Sequence, residues 1–131
     1  MSWQKEQKDY VIGIVQGTVP SKSNGYKIIK IGNHASLGKT ATLQNYEKSF
    51  FMQCKDRGKN IDSYFEFQLD VYYPSNRSDL DNSLKIILDC LQKANVIKND
   101  NLCTQILARK FVDKNNPRIE YKINPVAGFG T

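Results

Sequence analysis

Residues 64–94, YFEFQLDVYYPSNRSDLDNSLKIILDCLQKA, pass from one hydrophobic period to another, and that change decides the fold. In the first part Phe65, Phe67, Leu69 and Val71 alternate with Glu66, Gln68 and Asp70, the two-residue period of a strand with one covered face. Pro74 closes the run. Over residues 79–94 the apolar positions Leu80, Leu84, Ile87, Leu91 and Ala94 recur at threes and fours, one stripe of a helix. Asp81, Lys85 and Asp89 lie four apart on a second, charged stripe of the same helix.

Outward from this unit, Leu43, Tyr46, Phe50 and Cys54 predict a second helix over residues 40–57, with Gly58 at its C-terminal cap. Residues 10–15 and 26–31 read as strands joined by the turn-rich GTVPSKSNG of residues 17–25, and they are expected to pair as a hairpin with a long loop. Residues 32–40 read as a loop entering the helix. After a turn over residues 95–101, strands are expected near 105–112 and 118–124, separated by DKNNP at 113–117. The tail from residue 125 to 131 is expected to fray. This order predicts an α+β fold: a single domain over residues 1–131, with a mixed β-sheet and two main helices packed on one side.

With 131 residues, 40% hydrophobic and 24% charged, the chain has the size of one domain with a real core. No stretch reaches the roughly 18 apolar residues of a membrane helix, and residues 1–9 are polar and charged, so no membrane span or secretory signal is expected and a cytoplasmic location is. Three scattered cysteines, Cys54, Cys90 and Cys103, with no C-x-x-C pair, read as reduced thiols. His34 is the sole histidine, which excludes H-E-x-x-H zinc chemistry. Any metal must be held by carboxylates, which favours hard ions such as Mg²⁺ or Mn²⁺.

The net charge of +6 is uneven: residues 1–60 carry ten Lys/Arg against four Asp/Glu, and residues 61–131 nine against nine. A basic half beside a carboxylate-bearing half suits metal chemistry on a bound polyanion. Gly38-Lys39-Thr40 invites a nucleotide-loop reading, but the glycine required five residues before Gly38 is replaced by Asn33, so no nucleotide cofactor is expected. Asp79-Leu80-Asp81 opens a helix, where acids commonly cap free amides. Three features favour chemistry instead. The pair lies on a strand-to-helix turn, Lys85 follows one turn later, and Asp100 opens the next strand, whence it would return toward the pair if that strand runs beside residues 64–73. Three converging carboxylates repel one another unless a divalent cation holds them.

Asp79-Leu80-Asp81-Asn82-x-x-Lys85, then Asp89 and Leu91, then Val96-Ile97-Lys98-Asn99-Asp100, resembles the signature of the RusA family of Holliday-junction resolvases. Pro20-Ser21-Lys22-Ser23-Asn24 is similar to that family's P-P-S-x-N turn, with Val19 in place of the first proline. Asn99 stands where the family has the first acid of a pair, Ser83 replaces a leucine, and Ser78 replaces a basic residue beside Arg77.

The resemblance implies a metal-dependent, homodimeric endonuclease, of a kind often encoded by phages and prophages, that resolves four-way DNA. Asp79, Asp81 and Asp100 would hold Mg²⁺, with Mn²⁺ as a substitute, Lys85 would stabilise the scissile phosphate, and Asp89 would support Lys85. Lys22, Lys27, Lys30, Lys39 and Arg77 form the expected DNA track. A non-catalytic basic DNA-binding module of the same fold is the rival reading, with the aspartates serving only as caps. A transferase holding a nucleotide diphosphate on Asp79 and Asp81 is disfavoured by the chain's length.

Overall fold

The computed structural model describes residues 10–128; the polar start at residues 1–9 and the last three residues of the tail lie outside the described residues. Within it the order is β1 (Val11–Gln16), a short α1 (Lys22–Gly25), β2 (Tyr26–Ile31), β3 (His34–Lys39), α2 (Ala41–Gln53), β4 (Tyr64–Tyr73), α3 (Leu80–Lys93), a 3₁₀ turn (Asp100–Leu102), β5 (Cys103–Val112) and β6 (Arg118–Val126). β1, β6, β4 and β5 form one mixed sheet in that spatial order, in which β6 runs antiparallel to β1 and β4, and β5 runs parallel to β4.

One face of the sheet is apolar, as the alternation in β4 predicts. Phe65, Phe67, Leu69, Val71 and Tyr73 join Val11 and Val15 from β1 and Ile119, Tyr121 and Ile123 from β6 in one buried cluster. Leu43, Tyr46 and Phe50 of α2 and Ile86, Ile87 and Leu91 of α3 complete that cluster, so both main helices lie on this face, as expected. The other face carries Gln68, Asp70, Glu120 and Lys122, with Asp70 clamped by both arms of the Arg109 guanidinium at 2.8 Å. Gly13 lies where any Cβ would collide with the Tyr121 ring, which gives that strand glycine its reason.

Four expectations are corrected. The first strand does not pair with Tyr26–Ile31. β1 pairs with β6, and β2 pairs with β3 in a separate ribbon closed by Gly32-Asn33, with Gly32 at φ +61°. Residues 34–39, read as loop, are therefore a strand, because a two-residue Gly-Asn turn returns the chain at once. The tail is paired through Val126, where β6 meets Tyr64, so fraying does not begin at residue 125. Helix α2 ends at Gln53 rather than near Arg57.

Candidate active site at the start of helix α3

β4 ends in a buried Tyr73 whose hydroxyl lies beneath the first turn of α3. It donates to the Asp79 carbonyl at 3.2 Å, leaving Ser83 Oγ, itself 1% exposed, to donate to it at 2.5 Å. Burial pushes the Tyr73 phenol pKa up; the Ser83 hydrogen bond opposes this, and the charges of Asp79 and Asp81 add to it. The intervening turn is held from β5, since Lys110 Nζ donates to the carbonyls of Asn76 at 2.7 Å and Ser78 at 2.8 Å.

Asp79 occupies the N-cap of α3 in an extended conformation, yet its side chain makes no capping hydrogen bond. Among the described residues Asp81 accepts only the Asn82 amide, through Oδ1 at 2.9 Å. Both are exposed. The capping explanation is thus not what the side chains do: among the described residues one of four carboxylate oxygens is engaged. Asn82 points the other way, donating from Nδ2 to the Pro20 carbonyl at 3.1 Å, and so ties the helix to the turn before α1. The result is an open cleft of about 460 Å³ lined by Ser21, Lys22, Tyr26, Leu37, Arg77 and Asp79.

The structure brings Lys22 and Arg77 to the Asp79 cleft. Lys85 is exposed one turn beyond Asp81 and makes no ion pair with Asp89 among the described residues, so that support is not present. Lys30 shares a ribbon face with the cleft residues Tyr26 and Leu37, whereas Lys27 lies on the opposite face. Lys39 pairs with Glu47 at 2.6 Å, and the hydrogen bond raises its pKa. Lys27 therefore does not continue one track with Lys22 and Arg77, whereas Lys39, opposite Tyr26 on the cleft face of the ribbon, is engaged by Glu47.

Asp100 does not join the pair. Because β5 is parallel to β4, from Phe65 beside Cys103 to Tyr73 beside Val112, the residues before β5 lie at the far end of the sheet from those that follow β4. Asp100 donates its backbone amide to Gln92 Oε1 at 3.0 Å, at the C-terminal end of α3, and about 17 Å of helix rise separates Gln92 from Asp81. Among the described residues no three acidic, histidine or cysteine side chains gather as a metal site. Sequence reading had also passed over Tyr73, Asn82 and Lys110 as supports. A serine at position 83, on the apolar side of an otherwise regular helix, was the signal that a buried partner awaited it.

A family profile described as Endodeoxyribonuclease RusA matches residues 19–124. The chain belongs to the RusA family. The crossover junction endodeoxyribonuclease RusA of Aquifex aeolicus (strain VF5) is 32% identical over 107 residues, covering 79% of this chain and 82% of that protein. A GTPyS-form protofilament of TubZ from Bacillus thuringiensis serovar israelensis superposes with a TM-score of 0.38 at 12% identity, over 88% of this chain and 24% of that one, a likeness that carries no argument. The RusA match spans both the Pro20 turn and the Asp79–Asp100 segment, the two stretches that meet through Asn82.

Proposed function

We propose that this RusA-family chain is a divalent-metal-dependent endonuclease that cuts branched DNA, four-way junctions above all, as a homodimer whose metal sites are each shared between two copies. The observation that supports this most is the pair of exposed carboxylates at the start of α3, left open by the local hydrogen bonding, with Asp79 set in a cleft beside Lys22 and Arg77. The relative from Aquifex aeolicus is named for crossover junctions, and a two-fold enzyme matches the two symmetric cuts such a substrate needs.

Asp79 and Asp81 offer hard oxygen donors suited to Mg²⁺, with Mn²⁺ as a substitute, but two carboxylates are an incomplete set, and the third, Asp100, has to come from another copy. When bound, the ion supplies charge neutralisation at the phosphate and an acidified water. The chain's residues do the rest. Tyr73 and Ser83 fix the Asp79 backbone, Lys85, exposed and in no ion pair among the described residues, faces a non-bridging phosphate oxygen, and Lys22 and Arg77, with Lys30 beyond them, hold the flanking backbone. Asp89 keeps a place on the same helix without a contact that assigns it a step. A DNA substrate supports a cytoplasmic location; no helix among the described residues is long and apolar enough to cross a membrane.

Mixing tests the shared site. Asp79→Asn and Asp100→Asn chains, each inactive alone on a labelled four-way junction with Mg²⁺, regain nicking when combined, because a mixed dimer rebuilds one intact site and about a quarter of all sites become whole. A mixture that stays silent overturns the shared site. Wild-type protein that binds the junction but leaves it uncut at every Mg²⁺ and Mn²⁺ concentration identifies a binding module instead.

A further inference from the structure

Among the described residues β2 and β3 pair only with each other, in a two-stranded ribbon that stands apart from the main sheet. Its base is fastened. Thr40 donates its amide to the Gly25 carbonyl at 3.0 Å and its hydroxyl to the Asn24 carbonyl at 2.6 Å, and Lys39 is held by Glu47. Beyond that base the ribbon projects into solvent with aliphatic side chains on it. Ile28 and Leu37 are direct cross-strand partners on one face, exposed by 77% and 62%. Ile29, which faces the other way, is half-buried because it lies over Gly38, where any Cβ would collide with it. Ile28 and Leu37 have no such cover among the described residues. A lone ribbon is marginal in water, and an exposed aliphatic pair adds nothing to it unless something docks there.

Two observations say what docks. The aliphatic pair continues the candidate active site: Leu37 lines the Asp79 cleft, and so does Tyr26, two residues before Ile28 on the same face. Two residues of strand span about 7 Å, or about two base-pair steps of duplex. The surrounding charge also has one sign, since from Tyr10 to Tyr46 the chain carries four lysines and no aspartate or glutamate, and one of them, Lys30, follows Ile28 on the ridge face. The partner is therefore a polyanion that offers apolar surface beside its phosphates. Continuous duplex offers little beyond thymine methyl groups, because its base faces are stacked. Where arms of DNA meet, stacking is interrupted and base faces open to aliphatic side chains, the contact by which wedges hold a kinked duplex.

We propose that the Ile28 and Leu37 ridge is a wedge that packs against the unstacked bases at the branch point of DNA, and that it supplies the preference for branched over continuous duplex. The proposal rests on the reading of this chain as a nuclease for branched DNA, and it names the part of the substrate that is read beside the carboxylates. The fastened base gives the wedge its fixed distance from Asp79, and Lys30 takes the phosphate next to the opened step.

A base analogue reads this out. A four-way junction carrying 2-aminopurine at the branch point, a base whose fluorescence is quenched by stacking, is titrated with the full chain in the absence of divalent metal, so that its strands stay whole. Wild type should raise the fluorescence about twofold or more and leave the same probe in the middle of an arm unchanged. Ile28→Thr keeps the β-branched shape that suits the ribbon. It should raise the junction dissociation constant about fivefold and remove most of the fluorescence rise, with melting temperature and affinity for linear duplex unchanged, whereas Ile28→Val behaves as wild type. Ile31→Thr, on the opposite face, should also behave as wild type. No fluorescence rise with wild type, or an Ile28→Thr variant that keeps its junction affinity, overturns the wedge. So does an Ile28→Thr variant that binds junctions normally but has lost binding to phosphatidylserine vesicles or to its own copy, since the ridge then serves a lipid surface or a second chain. Cleavage with Mg²⁺ is scored separately: junctions opened at the branch but never cut sink the nuclease and leave the wedge, and junctions cut without being opened sink the wedge and leave the nuclease.

Discussion

The two ends of helix α3 are built from different polar contacts around exposed acids. At the N-terminal end Asp79 and Asp81 stand exposed, and the hydrogen bonds around them fix the backbone while leaving the carboxylates open. At the C-terminal end the local polar groups are consumed by one another. Gln92 accepts the Asp100 amide, Asn99 accepts that of Asn101, Asn95 turns the chain at φ +55°, and Lys93 is pinned to Glu47 at 3.0 Å. One end presents two carboxylates and the other positions a single one just before the edge strand β5. Exposed acids are common to both; what differs is how the side chains beside them are engaged.

The largest effect should come from Asp81→Asn. Junction cleavage falls by about three orders of magnitude or more, as expected when a metal ligand is lost, with a melting temperature within a degree or two of wild type because the carboxylate supports no packing. A variant that unfolds instead would show the N-terminal end to be structural. Tyr73→Phe comes next. It leaves the buried Ser83 hydroxyl and the Asp79 carbonyl without their partner, costs about 1–3 kcal/mol in urea unfolding, and lowers cleavage by loosening the Asp79 backbone. Gln92→Ala is the counterpart at the far end, where the freed amide is close to water. Its stability cost should be about 0.5 kcal/mol or less, with cleavage reduced severalfold, so a kcat change larger than that of Tyr73→Phe would reverse the ranking of the two ends.

Arg77→Ala should weaken junction binding several-fold and reduce the slope of log K against log salt by about one, without changing cleavage at saturating enzyme. The smallest effect concerns Glu47. Burial works to raise its pKa, but hydrogen bonds from Lys39 and Lys93 outweigh this and hold it below the ordinary 4.5. A depressed acid stabilises the fold above its unfolded value and stops doing so as pH falls through the folded one. Wild type should therefore lose slightly more melting temperature than Glu47→Gln between pH 5 and pH 3, and equal losses would detach this cluster from the end of α3.

Much of this was legible in the sequence. The switch from Phe65-Phe67-Leu69-Val71 to Leu80-Leu84-Ile87-Leu91 gave β4, α3 and the shared core face, because burial on one side writes its period into the residues. The Asp79–Asp81 turn was legible for the same reason: it lies between two strongly periodic elements. Strand partners were harder. Alternation reads the same for either direction and either neighbour, so nothing in residues 10–15 distinguished β6 from β2 as a mate. Gly32-Asn33 was a hairpin signal passed over, and a helix between β4 and β5 is the connection that parallel strands require. That second signal, given its weight, places Asp100 at the wrong end for a site within one chain.

The span of α3 has a kinetic consequence. If the third carboxylate comes from a neighbour, a solitary molecule on DNA is inert, and below the dissociation constant of the pair the number of working nuclease centres grows as the square of the amount of protein present. Helix length would then act as a safety catch, keeping scarce molecules harmless to the duplex and arming them only when two arrive together.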